Sequence, residues 1–91
     1  MQVADNAAKS RFEATVDGET AILVYRLSGD TITLVHTEVP AALGGRGLGG
    51  ELARAALDSA RARGLKVVPS CPFVRAYIAR HPEYADLVAP G

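Results

Sequence analysis

The sequence predicts an α+β fold in which an antiparallel meander of strands precedes a strand–helix–strand unit. Apolar and polar residues alternate over much of residues 12–39, which is the period of a β-strand. Glycines cluster at residues 44–50, and the apolar residues after them recur with the period of an α-helix. A short apolar segment, Leu65–Pro69, follows that helix. We therefore predict a single domain over residues 1–91, with a mixed sheet and two main helices.

Three strands joined by two tight turns account for the meander. Asp17-Gly18 is a dipeptide that hairpin turns favour because glycine accepts a positive φ, and Ser28-Gly29-Asp30 supplies the second turn. The middle strand carries apolar residues at odd and even positions, so we predict that it is buried on both faces for part of its length. The predicted segments are residues 1–9, as a loosely ordered lead-in or a short strand, and strands at 12–16, 20–27 and 31–39.

The glycine cluster opens the longer of the two predicted helices. Gly64 is a natural end for this helix, since glycine accepts the left-handed conformation of a C-terminal cap. The strand Leu65–Pro69 is predicted to be parallel to the strand that ends at Val39, because a helix connects the two. The predicted apolar face of the helix consists of Leu48, Leu52, Ala56, Leu57 and Ala60.

A second, shorter helix is predicted after residue 70. Ser70 or Cys71 can cap it, and Pro82 ends it. Residues 83–88 are predicted to form a short tail whose apolar side chains dock on the core. The predicted apolar face of this helix consists of Phe73, Val74, Tyr77 and Ile78.

Charge and cysteine content restrict the class of protein. Ten basic and ten acidic side chains cancel, so no net field favours nucleic acid or an anionic membrane. The longest nearly apolar stretch, Ala21–Tyr25, is too short to span a bilayer, and residues 1–10 do not resemble a secretory signal. A single cysteine excludes an internal disulfide and argues against a metal site. We expect a cytoplasmic protein with one reduced thiol and no metal, nucleic-acid or membrane partner.

The glycine cluster has the composition of a phosphate-binding loop. Unpaired N–H groups and partial positive charge at a helix N-terminus attract phosphates. Gly45, Gly47 and Gly49 occupy alternate positions, and Arg46 adds a full positive charge. The Gly-Lys-Ser/Thr ending of a nucleoside-triphosphate loop is absent. Gly45-x-Gly47-x-x-Gly50 matches the dinucleotide fingerprint by letter, but the next strand ends without an acidic residue and the domain is too small for that fold.

The loop resembles the signature of the GNAT acyltransferase superfamily, Gln/Arg-x-x-Gly-x-Gly/Ala, which opens a helix after a strand that ends in a bulge. Gly47-Leu48-Gly49 matches the second half of this signature, whereas Gly44 stands where Gln or Arg is usual. The alternative is a glycine-rich loop that only turns the chain. The segments that resemble small single-domain GNAT-like N-acetyltransferases are His36–Pro40, Gly45–Gly47, Val68–Pro72 and His81-Pro82, within a resemblance that covers Arg11 to Val88.

This resemblance implies a minimal GNAT-like fold that binds acetyl-CoA, as a cosubstrate, between two splayed strands ending at Val39 and Pro69. It implies transfer of an acetyl group to an unknown amine. The N-terminal helices that cover the acceptor in larger GNAT enzymes are missing, so the acceptor side suits a bulky partner such as a protein amine, in a monomer or a homodimer. The implied contacts are Glu38, Val39 and Ala41 for pantetheine, Gly45, Arg46, Gly47, Leu48 and Gly49 for the phosphates, and Cys71 near the thioester.

Cys71, Glu38 and His36 are the candidate catalytic residues. Transfer to an amine needs a base to remove a proton and an acid to protonate the leaving thiolate. Cys71 starts a helix, which stabilises a thiolate, although a buried cysteine is often a small hydrophobic residue. Glu38 and His36 point to the same side of their strand, and either can act as the base, directly or through a water, or be structural. The alternative function is a CoA-binding or protein-interaction module with this fold and little or no catalysis.

Overall fold

A five-stranded sheet forms the centre of the protein, and the computed structural model describes residues 2–90. The strands are β1 (Ala4–Asn6), β2 (Arg11–Val16), β3 (Glu19–Ser28), β4 (Thr31–Glu38) and β5 (Lys66–Pro69), and the main helices are α1 (Leu48–Arg63) and α2 (Pro72–Arg80). The strands lie in chain order; β1 to β4 are antiparallel neighbours, and β5 is parallel to β4. The predicted α+β class, mixed sheet and two main helices are confirmed. Short 3-10 helices span Ala7–Lys9, Ala41–Leu43 and Pro82–Leu87.

The first hairpin follows the sequence prediction. Asp17 and Gly18 have positive φ angles of 53° and 78°, as the two central residues of a type I′ turn require. Residues 4–6 pair with β2, so the structure contains the short strand that was one of the two options for residues 1–9. Met1 lies outside the described residues. The pairing of β2 with β3 places the turn that contains Asp17 at one end of the sheet.

The core lies between α1 and one face of the sheet. Gly64 ends α1 as predicted, since its N–H donates to the carbonyls of Ala60 and Arg61. The prediction that the middle strand is buried on both faces is wrong. Helix α1 packs on one face of β3, and Ile22 and Val24, whose side chains lie on the other face, are only half-buried. The predicted apolar face of α1 is fully buried, at Leu48, Leu52, Ala56, Leu57 and Ala60.

The C-terminal tail docks on the core, as predicted. Tyr84 and Leu87 are buried, and the N–H of Ala89 donates to the Val67 carbonyl of β5 at 2.8 Å. The tail therefore covers part of the outer edge of β5. Among residues 2–90, no helix is long and apolar enough to cross a membrane.

Gly50 in the first turn of α1 offers a stabilising substitution. Its φ is not positive, and an added Cβ would lie 3.6 Å from Cε2 of Tyr77, which is an ordinary contact. We expect Gly50→Ala to raise the free energy of unfolding by about 0.5–1 kcal/mol, because alanine loses less backbone entropy than glycine. Urea denaturation measures this change. Gly47→Ala is the matched control and should destabilise, since Gly47 has a φ of 72°; a Gly50→Ala protein no more stable than the parent contradicts the prediction.

Candidate functional site

The strands β4 and β5 separate at one end and leave a gap. Their parallel pairing stops at Leu34 and Pro69, after which the chain leaves β5 and enters α2. The register of β4 against β3 shifts at this point, because Val35 is an extra residue between the paired Leu34 and His36. The N–H of Cys71 donates to the Leu34 carbonyl at 2.9 Å and closes the inner end of the gap. Among residues 2–90, β4 therefore has no strand partner on its β5 side beyond Leu34.

The glycine loop lies between the end of β4 and the start of α1. Gly45 and Gly47 have φ angles of 81° and 72°, whereas Arg46 and Leu48 do not have positive φ. Alternation of this kind turns successive N–H groups toward the same side and forms a concave anion-binding nest. Within residues 2–90, the six backbone N–H groups of residues 45–50 have no hydrogen-bond acceptor. This run of donors at the positive end of α1 is suited to an anion with several oxygens.

Arg46 also has an intramolecular partner that the sequence did not reveal. Its Nη1 lies 3.4 Å from Oδ2 of Asp17, in the turn between β2 and β3. Both side chains are exposed, so this ion pair is weak and an anionic ligand can compete for the guanidinium. Arg46, which the sequence suggests as a phosphate contact, therefore has a weak ion-pair partner in Asp17.

Phe73 differs from its predicted position in the core. It is 39% exposed, and the tip of its ring lies against Gly49 in the first turn of α1. A Cβ added at Gly49 would lie 2.8 Å from Cζ of Phe73, so a larger residue at position 49 would displace the ring. The second glycine of the signature thus allows α2 to approach α1 closely, in addition to exposing its N–H group. The other three residues of the predicted apolar face, Val74, Tyr77 and Ile78, are buried as predicted.

Cys71 lies at the N-terminus of α2 and is 4% exposed. Its Sγ lies 3.3 Å from Oγ1 of Thr37 in β4. Burial raises the pKa of the Cys71 thiol, but the hydrogen bond with Thr37 and the backbone N–H groups of Phe73 and Val74 outweigh burial, so the pKa is lowered from its ordinary value. The sequence did not identify Thr37, because this contact depends on how the bulge rotates β4.

The Thr37–Cys71 contact makes a prediction for the thiol. Thr37→Val keeps the shape of the side chain but removes the hydroxyl, so we expect the pKa of Cys71 to rise. Thr37→Ser retains a hydroxyl and is the matched control, for which we expect a smaller change. The ultraviolet absorbance of the thiolate, followed as a function of pH, measures both pKa values. Equal values for the valine and serine variants would contradict a hydrogen bond to Sγ.

His36 and Glu38 lie on the face of the sheet opposite Cys71. Side chains alternate along a strand, and Thr37, which contacts Cys71, stands between them. His36 Nε2 lies 3.5 Å from Glu38 Oε2, and the two side chains are 58% and 64% exposed. The structure therefore brings His36 and Glu38 together, as predicted from their spacing, but does not bring either to Cys71.

Val39 and Ala41, the remaining candidate positions, follow the end of β4. Val39 is exposed just after β4, and Ala41 begins the 3-10 helix that leads to the glycine loop. Arg75 donates to the carbonyls of Pro69 and Ser70 at 3.3 and 3.2 Å and so supports the end of β5. No cluster of three or more metal-ligating side chains forms within residues 2–90.

Comparison with known proteins identifies the family. Residues 11–87 match the family described as GCN5-related N-acetyl-transferase. Protein NATD1 of Gallus gallus is 34% identical over 95 residues, which cover 99% of this chain and 86% of the relative. Protein NATD1 of Homo sapiens is 33% identical over 95 residues, which cover 99% and 84%. The solution NMR structure of a GCN5-like protein from Staphylococcus aureus is similar with a TM-score of 0.75 and 26% identity, covering 99% of this chain and 89% of that one. The chain therefore belongs to the GCN5-related N-acetyltransferase (GNAT) family, as its loop and strand motifs predicted.

Proposed function

We propose that this protein binds acetyl-CoA in the gap between β4 and β5 and transfers the acetyl group to an amine. The observation that carries the proposal is the run of unpaired N–H groups at residues 45–50, at the mouth of that gap. A diphosphate offers the several negative oxygens that such a concave set of donors accepts. Membership of the GNAT family supports CoA as the diphosphate ligand.

The arrangement of β4 and the loop supports the donor contacts that the GNAT resemblance implies. The diphosphate is proposed to lie on Gly45, Arg46, Gly47, Leu48 and Gly49. Pantetheine is proposed to pair with the free edge of β4 and the segment after it, at Glu38, Val39 and Ala41. In the described part of the chain, the β5 side of β4 has no strand partner beyond residue 34. This supports the arrangement, because an extended amide chain can hydrogen-bond to such an edge.

Two chemical routes are possible. One uses Glu38 or His36, on one face of β4, and the other uses Cys71, which lies at the opposite face. In direct transfer, the amine nitrogen attacks the thioester carbonyl, a C–N bond forms and the C–S bond breaks. The amine proton goes to Glu38 or His36, and the CoA thiolate leaves and takes a proton. In a covalent route, the Cys71 thiolate attacks the thioester carbonyl and the CoA thiolate leaves. The amine then attacks the acetyl–Cys71 thioester, the C–N bond forms and the Cys71 thiolate is released. The lowered pKa of Cys71 favours the thiolate that this route requires.

A second candidate function is a CoA-binding or interaction module with little or no catalysis. Gly44 in place of the usual Gln or Arg favours this alternative, since one phosphate contact is lost. The ion pair between Arg46 and Asp17 favours it as well, because it opposes phosphate binding.

Calorimetry with acetyl-CoA and CoA tests the proposal directly. Acetyl-pantetheine, which lacks the diphosphate and the adenosine part of CoA, is the control ligand and should bind much more weakly. Release of free CoA over a panel of amines then separates an enzyme from a binding module, and Cys71→Ala separates the two chemical routes. Absence of acetyl-CoA binding at millimolar ligand would refute the proposal, and full activity of Cys71→Ala would exclude the covalent route.

A further inference from the structure

One segment of the chain contacts three of the elements that border the gap. The gap lies beside β5, the glycine loop at its mouth leads into α1, and Cys71 at its inner end leads into α2. Residues 82–89, which we call the strap, contact α1, α2 and β5. The position of the strap therefore bears on the shape of the gap.

Arg61, in the last turn of α1, binds the strap with a forked set of hydrogen bonds. Its Nη1 and Nη2 donate to the two carboxylate oxygens of Asp86 at 3.0 and 2.9 Å, and Nη2 also donates to the Glu83 carbonyl at 2.7 Å. One guanidinium thus binds a side chain and the backbone of the strap, as its planar set of donors allows. One turn earlier on α1, Asp58 accepts a hydrogen bond from the Tyr84 hydroxyl at 2.7 Å.

The strap also supports the outer edge of β5. The N–H of Ala89 donates to the Val67 carbonyl at 2.8 Å, and Val88 pairs with Val67 in a parallel bridge. β5 has only four residues, and its other edge pairs with β4, so few backbone hydrogen bonds keep it in place. The strap therefore limits the movement of β5 relative to β4, which is the movement that would change the width of the gap.

Few buried contacts stabilise the strap itself. Its buried side chains are Tyr84 and Leu87, and the ring centroid of Tyr84 lies 6.3 Å from that of Tyr77 in α2. The other side chains of residues 82–87 are exposed. A short segment of this kind can open while the sheet and α1 remain folded. Opening removes the contact with α2 and the hydrogen bond to β5 together.

We propose that the strap is the positioning element of the gap and that Arg61 is the positioning residue that keeps the strap docked. While the strap is docked, β5 and the start of α2 keep the separation from β4 that a bound ligand needs. When the strap opens, β5 and α2 lose this support, and the gap loses its affinity for acetyl-CoA. This last step rests on the proposed function, whereas the effect on β5 and α2 depends on no ligand.

Two measurements on the free protein test the role of Arg61. Amide hydrogen exchange at Ala89 reports the opening of the strap. The reaction of Cys71 with a thiol reagent reports the exposure of its buried Sγ at the start of α2. Arg61→Gln removes the fork, and we expect it to accelerate both reactions about two- to fivefold, the range that an exposed ion pair provides.

Arg63→Gln is the matched control for this variant. Arg63 lies in the same turn of α1, its side chain is 44% exposed against 47% for Arg61, and it pairs with Asp5 in β1 rather than with the strap. A loss of overall stability would accelerate both reactions in either variant, whereas opening of the strap breaks only the contacts of Arg61. An effect of Arg63→Gln at Cys71 as large as that of Arg61→Gln would overturn the proposal.

Acetyl-CoA tests whether the open strap is compatible with binding. Ala89 lies on the edge of β5 away from β4, so a ligand in the gap does not shield its N–H directly. If only the docked form binds, saturating acetyl-CoA should slow exchange at Ala89 by about the ratio of ligand concentration to Kd. Exchange at Ala89 as slow as in the core of β3 would mean that the strap opens only with the whole fold, which contradicts the proposal.

The affinity of the parent protein for acetyl-CoA, measured by calorimetry, separates this proposal from the proposed function. If acetyl-CoA binds and exchange at Ala89 is unchanged, the donor site stands and the strap does not position it. If acetyl-CoA does not bind, the proposed function is wrong, and the rates at Cys71 in the two arginine variants decide whether the strap positions α2. Binding together with slower exchange at Ala89 supports both assignments.

Discussion

Replacing Leu52 by alanine is expected to lower the free energy of unfolding by about 3–5 kcal/mol. Leu52 is 0% exposed and lies in the middle of the face that α1 packs on the sheet. Truncation removes buried methyl groups and leaves a cavity, because a helix held on a rigid sheet cannot collapse to fill it. A domain of this size has a total stability of about 5–14 kcal/mol, so the loss is a large fraction of the total.

Leu27→Ala is the matched control for this prediction. It deletes the same atoms at a position that is 46% exposed, and it should cost less than about 1 kcal/mol. Urea denaturation followed by circular dichroism gives both free energies. A loss below about 2 kcal/mol for Leu52→Ala would mean that the core at α1 is looser than the structure indicates.

Local patterns were sufficient to predict most of the fold. The Asp17-Gly18 turn, the apolar face of α1 and the stop at Gly64 all depend on conformational preferences of residues close in sequence. The parallel pairing of β4 with β5 follows from the intervening helix, because a crossover connection joins parallel strands. The turns and helix ends are thus determined within a few residues, and the parallel pairing follows from the order of the elements.

The burial of side chains was predicted less well, because it depends on which other element packs over each side chain in the folded protein. Ile22 and Val24 have the character of core residues, yet no helix among residues 2–90 covers their face of β3. Phe73 has the helical spacing of a core residue, but the close approach of α2 to α1 leaves its ring at the surface, against Gly49. Periodicity identifies the apolar face of an element and does not say whether another element covers it.

The candidate site shows the same division. The glycine spacing predicted a helix start with unpaired N–H groups, and within residues 2–90 the N–H groups of residues 45–50 have no acceptor. The partners of Arg46 and Cys71 were not predicted, because Asp17 is 29 residues from Arg46 and Thr37 is 34 residues from Cys71. Such contacts arise only when separate turns and strands are brought together in the folded chain.

The second large effect is expected at Arg46. Arg46→Glu should weaken acetyl-CoA binding by about one to two orders of magnitude, because it replaces a charge-assisted hydrogen bond to phosphate by a repulsive carboxylate. Asp17→Asn should strengthen binding by about two- to fivefold, since it frees Arg46 from its exposed partner. Asparagine tolerates the positive φ of residue 17 and keeps the turn.

If the two variants change acetyl-CoA affinity in opposite directions and keep the free energy of unfolding of the parent, the changes measure the electrostatic contribution of Arg46. Both positions are exposed, so we expect each variant to retain the stability of the parent within about 0.5 kcal/mol. Calorimetry at two salt concentrations provides the measurement, and the difference between the variants should shrink at high salt because exposed charges are screened. Equal affinity of the parent and both variants would show that the phosphates do not contact Arg46. The diphosphate site would then have to depend on the backbone N–H groups of residues 45–50 alone.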